Sequence, residues 1–159
     1  MGSEQKFKGG LAEQNDVTTA YHTATHLLNS ALKQVLGPDT HQRGSNITVD
    51  RMRFDFNCDH KMTDEEKQKV EDLVNQWIKE EIPVTVEEMK KEDAVKSGAE
   101  CMFIEKYPDV VTVYSIGNIS KELCGGPHVK NTSELGTFKI KKEEASSAGV
   151  RRIKAILEK

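Results

Sequence analysis

Asp16-Val-Thr-Thr-Ala-Tyr-His22-Thr-Ala-Thr-His26-Leu-Leu-Asn-Ser-Ala-Leu-Lys33-Gln-Val-Leu-Gly37-Pro38 reads as a single long helix. Asp16 is a suitable N-cap, and Val17, Ala20, Tyr21, Ala24, Leu27, Leu28, Ala31, Leu32 and Val35 recur at helical spacing until Gly37 and Pro38 stop it. At about 100° per residue the apolar stripe occupies one side, and His22, His26, Asn29 and Lys33 fall nearly opposite. The two histidines are four apart, so their imidazoles project from adjacent turns on one side, as metal ligands do. They do not face the core that the stripe defines. Two readings follow: a solvated surface pair, or a site in a cleft on the far side of the helix.

Downstream, 45–49 and 52–56 read as two extended segments, with Arg51, Arg53 and Asp55 alternating against Met52, Phe54 and Phe56, so one face is buried. Thr63 followed by Glu66 fits a capping box. Val70, Leu73, Val74, Trp77 and Ile78 give a second amphipathic helix, ended by Pro83. A strand at 84–86, a short helix at 92–96 closed by Gly98, and a β-branched strand at 110–116 come next. Segments 135–141 and 150–157 are further strands, although Val150, Ile153 and Leu157 also fit a helical period. Helices and strands do not alternate regularly, which excludes a parallel doubly wound sheet. The fold class expected is therefore α+β, an antiparallel β-sheet packed with long helices. Residues 1–14 lack periodicity and read as a linker or expression tail, leaving 15–159 as one domain.

A chain of 159 residues suits one core. With 36% hydrophobic and 31% charged residues it is neither a disordered nor a membrane-protein composition. No apolar run approaches the roughly 20 residues of a membrane span, and no signal-peptide pattern is present, so a cytosolic location is expected. Cys58, Cys101 and Cys124 are too few and too irregular for a disulfide framework and read as reduced thiols. The net charge of −3 excludes wholesale electrostatic coating of nucleic acid. Only the last 23 residues are basic, with Lys139, Lys141, Lys142, Arg151, Arg152, Lys154 and Lys159 against Glu143, Glu144 and Glu158. Any contact with nucleic acid must be local.

The second chemical signal is Cys124-Gly125-Gly126-Pro127-His128. A thiol and an imidazole are again four apart, but Gly-Gly-Pro forbids a helix, so a tight turn must present them. The glycines let backbone amides approach whatever the turn surrounds. His22, His26, Cys124 and His128 together would make a tetrahedral set of borderline-soft ligands, for which zinc is the first choice. The plainer reading is that Cys124 is a small buried apolar residue and His128 a hydrogen-bonding turn residue. His41 and His60 are placed on the surface.

The segments His22-Thr-Ala-Thr-His26-Leu-Leu, Gln42-Arg-Gly-Ser45, Arg51-Met-Arg-Phe-Asp-Phe56, Glu122-Leu-Cys-Gly-Gly-Pro-His-Val129, Phe138-Lys-Ile140 and Ala148-Gly-Val-Arg-Arg-Ile153 closely resemble the editing domain of alanyl-tRNA synthetase. Free-standing relatives of AlaX type and the threonyl-tRNA synthetase editing domain share its fold. The resemblance runs from about residue 17 to the end. It implies an aminoacyl-tRNA deacylase that removes serine or glycine wrongly esterified to alanine tRNA. By the same resemblance His22, His26, Cys124 and His128 are the zinc set, and Thr25 and Gln42 are catalytic positions around the substrate. Gly125 and Gly126, with Arg151 and Arg152 toward acceptor-stem phosphates, would then contact the tRNA substrate. Pro127 departs from the threonine usual in alanine-type sequences. The aminoacylation and tRNA-recognition domains of a full synthetase are absent, so the resemblance fits an excised domain or a stand-alone factor.

Hydrolysis needs an activated water and stabilisation of the carbonyl oxygen, both of which zinc supplies. Four protein ligands would close the zinc shell, so one ligand must be loose, or the metal must expand to five-coordinate, or zinc must only anchor the substrate amine. Serine is told from alanine by a group that pairs with its hydroxyl, and Thr25 is positioned for that. The competing readings are a non-catalytic, zinc-stabilised tRNA-binding module and a threonine-type editor of serine on threonine tRNA.

Overall fold

A computed structural model describes residues 16–97, 108–123 and 128–158. The elements run α1 (Asp16–Leu36), β1 (Gln42–Ile47), β2 (Met52–Asn57), α2 (Asp64–Lys79), β3 (Val84–Lys90), α3 (Lys91–Lys96), β4 (Val110–Ile116), β5 (Ser120–Leu123), a 3-10 turn (Thr132–Leu135), β6 (Thr137–Ser147) and β7 (Val150–Glu158). The architecture is α+β, as expected, but the strands form two antiparallel sheets rather than one. The larger has the order β1-β2-β7-β6 and the smaller β3-β4-β5. The helices have 21, 16 and six residues, so only the first is long.

The ambiguity at residues 150–157 resolves to strand because β7 is interior to the larger sheet. It pairs with β2 on one side, Phe54 opposite Ile153, and with β6 on the other. Ile153 and Ala155 then lie in the core with Met52, Phe54 and Phe56. The β6-β7 hairpin turns at Ala148-Gly149, where Gly149 has φ of +73°, a conformation that favours glycine. On the other face of the sheet, Asp55 is also covered, because Arg152 directly opposite grips it with two hydrogen bonds of 2.9 and 3.1 Å.

Helix α2 begins as read: the Thr63 hydroxyl accepts from the Glu66 amide at 3.0 Å, and the Glu66 carboxylate accepts from the Thr63 amide at 2.9 Å. Its buried Val70, Val74, Trp77 and Ile78 pack into one core with α1 and the inner face of the larger sheet. Each fully buried Leu or Phe there contributes about 1.5–3 kcal/mol. The second cluster, Ala94, Val111, Val113 and Leu123, holds α3 on the smaller sheet.

Helix α1 is buried continuously from Ala20 to Asn29, on its polar face as well as its apolar one. The larger sheet and α2 take the apolar stripe. The turn between β4 and β5 and the segment at 128–129 take the other side: Ser30 donates to the Ile119 carbonyl at 3.0 Å, and the Thr23 hydroxyl accepts from the Val129 amide at 3.0 Å. The histidine face is thus covered by protein, which removes the surface-pair reading. Gly98 and the turn 124–127 lie outside the described residues. No described helix is long and apolar enough to cross a membrane.

Candidate metal and catalytic site

The covered face of α1 gathers three imidazoles. The His22 and His128 rings stack with centroids 4.3 Å apart, His26 meets His128 edge-on at 4.4 Å, and His22 and His26 are 5.4 Å apart. One nitrogen from each ring lies within 4.8 Å of one from each of the others. His22 and His26 are only 2% and 6% exposed, and His128 is half-buried. Tyr114 of β4 closes the edge of His128 at 4.4 Å.

Two side chains from opposite sides orient these rings. The Thr23 hydroxyl lies 3.3 Å from the Thr19 carbonyl, 3.0 Å from the Val129 amide and 3.0 Å from His128 Nδ1. A hydroxyl has one proton and two acceptor lone pairs. All three contacts are satisfied when it donates to Thr19 and accepts from Val129 N–H and His128 Nδ1–H, which leaves Nε2 as the unprotonated nitrogen of His128. On the opposite side His26 Nδ1–H donates to Glu122 Oε2 at 3.1 Å. Ser120, two residues earlier on the same face of β5, donates to that oxygen at 2.9 Å. Burial pushes the Glu122 carboxyl up, but His26 beside it, with the Ser120 hydroxyl, outweighs this and holds Glu122 below the usual carboxylate range. A carboxylate or hydroxyl on Nδ1 is the arrangement that fixes a metal-binding imidazole in its tautomer and orientation.

Of the residues the sequence singled out, the structure brings His22, His26 and His128 together. Cys124, with Gly125, Gly126 and Pro127, lies outside the described residues. Thr25 is buried beside the pair, and its hydroxyl donates to the His22 carbonyl at 2.6 Å, one turn back. Its proton is therefore engaged, and toward a ligand it can only accept. Gln42 opens β1, half-buried, with Nε2 donating to the Ser45 hydroxyl at 3.2 Å. Arg151 and Arg152 are engaged in two-pronged ion pairs, Arg151 with Glu143 at 2.6 and 3.0 Å and Arg152 with Asp55. His41 and His60 are exposed, as expected. Thr23, Ser120 and Glu122 were not picked out from sequence. The signal available for the last two was their i, i+2 placement just ahead of the Cys-Gly-Gly-Pro-His run.

With this geometry in view, residues 111–154 match the family described as the threonyl and alanyl tRNA synthetase second additional domain. Fold and match together support a domain of that type. More particularly, the chain is similar along its whole length to alanine–tRNA ligases. It is 60% identical to that of Treponema denticola over 99% of this chain and 26% of the relative. It is 57% identical to that of Treponema pallidum over 100% and 26%, and 53% identical to that of Thermotoga maritima over 91% and 17%. The chain thus spans about a quarter or less of the length of these curated relatives.

Proposed function

We propose that the chain is an aminoacyl-tRNA deacylase that hydrolyses the ester joining serine or glycine to the 3′-terminal adenosine of alanine tRNA. The observation that carries the reading is the triad His22, His26 and His128, two rings buried and the third half-buried, with Nδ1 of His26 and of His128 occupied by Glu122 and Thr23. Such a donor set suits zinc, held by the three imidazole nitrogens and, by the family resemblance, by Cys124. A zinc ion bound there would supply Lewis acidity, lowering the pKa of a water and polarising an ester carbonyl.

The remaining work falls to the chain's own residues. Thr23 and Glu122 keep the imidazoles in the metal-binding tautomer. The buried surroundings exclude bulk water, so a charge developing on the carbonyl oxygen is stabilised at low dielectric. Thr25, with its proton engaged by the His22 carbonyl, accepts from the serine hydroxyl. Alanine, which lacks that hydroxyl, leaves the buried oxygen unpaired and is rejected. Glycine lacks the hydroxyl too, and its entry rests on the space left by its missing side chain, which a water paired with the Thr25 oxygen can fill. Gln42, able to donate and accept, orients the ester or the water. Gly125 and Gly126 offer backbone amides to the terminal nucleotide. Among the basic residues near the carboxy end, Lys139, Lys141 and Lys142 are exposed and are the proposed phosphate contacts. Arg151 and Arg152 reach a phosphate by exchanging their carboxylate partners for it. The relatives' name, alanine–tRNA ligase, favours alanine tRNA over threonine tRNA as the substrate.

The test is a deacylation assay of the chain on Ser-tRNA(Ala), Gly-tRNA(Ala), Ala-tRNA(Ala) and Ser-tRNA(Thr). The reading expects the first two to be cleaved and correctly charged alanine tRNA to be spared. Cleavage of Ser-tRNA(Thr) alone would transfer the assignment to threonine-type editing. Binding of zinc and tRNA without any cleavage would make the domain a non-catalytic module.

A further inference from the structure

A second chelating cluster lies on the turn between β2 and α2, where Cys58, Asp59 and His60 follow one another. It borders the carboxy end of α1 in a recess lined by Leu36, Gly37, Asp39 and Thr40. His26 is ten residues before Leu36, so this end of α1 is about 15 Å along the helix axis from the imidazole triad. One sulfur, one nitrogen and one oxygen from the three side chains lie within 4.8 Å of one another. His60 Nδ1 is 2.7 Å from Asp59 Oδ1 and 3.9 Å from Cys58 Sγ.

The surroundings hold these atoms in place. The Cys58 amide donates to the Gly149 carbonyl at 3.0 Å, and the preceding Asn57 accepts from the His41 amide at 2.6 Å and donates to the Asp39 carbonyl at 2.9 Å. On the other side of His60, Nε2–H donates to both Glu66 oxygens, at 3.0 and 3.1 Å. Glu66 is itself fixed as the reciprocal half of the α2 capping box. In the metal-free chain Asp59 Oδ1 accepts from His60 Nδ1–H and the Cys58 thiol donates to the His60 carbonyl at 3.1 Å; a cation would take the place of both protons, while Glu66 on Nε2 keeps the ring oriented as a carboxylate orients metal-binding imidazoles elsewhere. The nearby Arg151 charge is neutralised by Glu143 and does not oppose a cation.

We propose that Cys58, Asp59 and His60 form a second binding site for one borderline-soft divalent ion of the zinc class, oriented by Glu66. A mixed sulfur, nitrogen and oxygen set of three protein ligands suits zinc, cobalt or cadmium and leaves further positions to water. The occupied site would tie the end of β2 to the start of α2.

The probe is cadmium, whose bond to a thiolate absorbs in the ultraviolet. The metal-free chain is titrated in a background carrying Cys101→Ser and Cys124→Ser, so that Cys58 is the remaining thiol and the zinc-triad reading is not at stake. The triad can take up cadmium without a thiolate band, so a Cys58-dependent band saturating within two equivalents is expected. It should vanish with Cys58→Ser, shift at least tenfold to higher cadmium with His60→Ala, and weaken about tenfold with Glu66→Gln. Should the double-serine background fold poorly by circular dichroism, the difference between the unmodified chain and Cys58→Ser gives the same readout. No Cys58-dependent band, or a band indifferent to His60→Ala, overturns the proposal.

Discussion

The Thr23 hydroxyl has three bonding positions, and a carbonyl, an amide and an imidazole fill them. Removing it with Thr23→Val strips His128 of its Nδ1 acceptor and strands the buried Val129 amide. Zinc affinity should fall about 10–100-fold and stability by about 1–3 kcal/mol. Thr23→Ser should restore most of the affinity, which a competition titration against a chelator measures. Full affinity in Thr23→Val would show that the hydroxyl does not orient the ring. Thr25 is proposed to act on selectivity instead. Thr25→Val should reduce the preference for releasing serine over alanine by at least about tenfold, and an unchanged ratio would remove it from the recognition of serine. At this scale the histidines were legible, because four-residue spacing on a helix is a periodic signal. Thr23 was not, since a hydroxyl that holds a neighbouring ring leaves no spacing pattern, and Glu122 was marked only by its place two residues after Ser120, just ahead of the Cys-Gly-Gly-Pro-His run.

Element α1 shows where periodicity stops being informative. The apolar stripe identified the helix and its inner face correctly, but the polar face is buried too, because β4, β5 and residues 128–129 cover it. No amphipathic count anticipates a partner that comes from a separate sheet. Strand β5, Ser120–Leu123, carries no β-branched run and was missed. The α2 capping box was legible from Thr63 and Glu66 alone. Thr63→Ala should cost about 1 kcal/mol in chemical denaturation, with an unchanged midpoint contradicting the cap's role.

Between β6 and β7, burial pushes the Glu143 carboxyl up, but the two-pronged bond from Arg151 and the Met62 amide outweigh it and hold Glu143 below its ordinary value of 4.5. A lowered carboxyl stabilises the fold fully above that ordinary value and loses the contribution as pH falls through the folded-state value. Arg151→Met should therefore cost about 2 kcal/mol at neutral pH, and the cost should shrink as pH falls below the ordinary value of 4.5, followed by urea midpoints across pH. A cost that is constant with pH would contradict the ion pair.

Across the whole molecule, the α+β class and antiparallel pairing were legible, because extended segments alternate in polarity and no regular strand-helix repeat appears. The division into two sheets was not, since strand pairing over long sequence separations leaves no local mark. That division matters for the site: the larger sheet and α2 hold one side of α1, and the smaller sheet brings Tyr114 and Glu122 to the other, where they meet His128 and His26. Metal removal separates a structural ion from a reactive one, because a structural site loses its fold with its metal. The decisive measurement is hydrolysis of Ser-tRNA(Ala) by the metal-stripped chain, with the far-ultraviolet circular dichroism recorded on the same sample. Hydrolysis should drop to background with the helical signal retained, and return with one equivalent of zinc at the triad. Undiminished hydrolysis in the metal-free chain, or collapse of the fold on stripping, would contradict a reactive metal held by His22, His26 and His128.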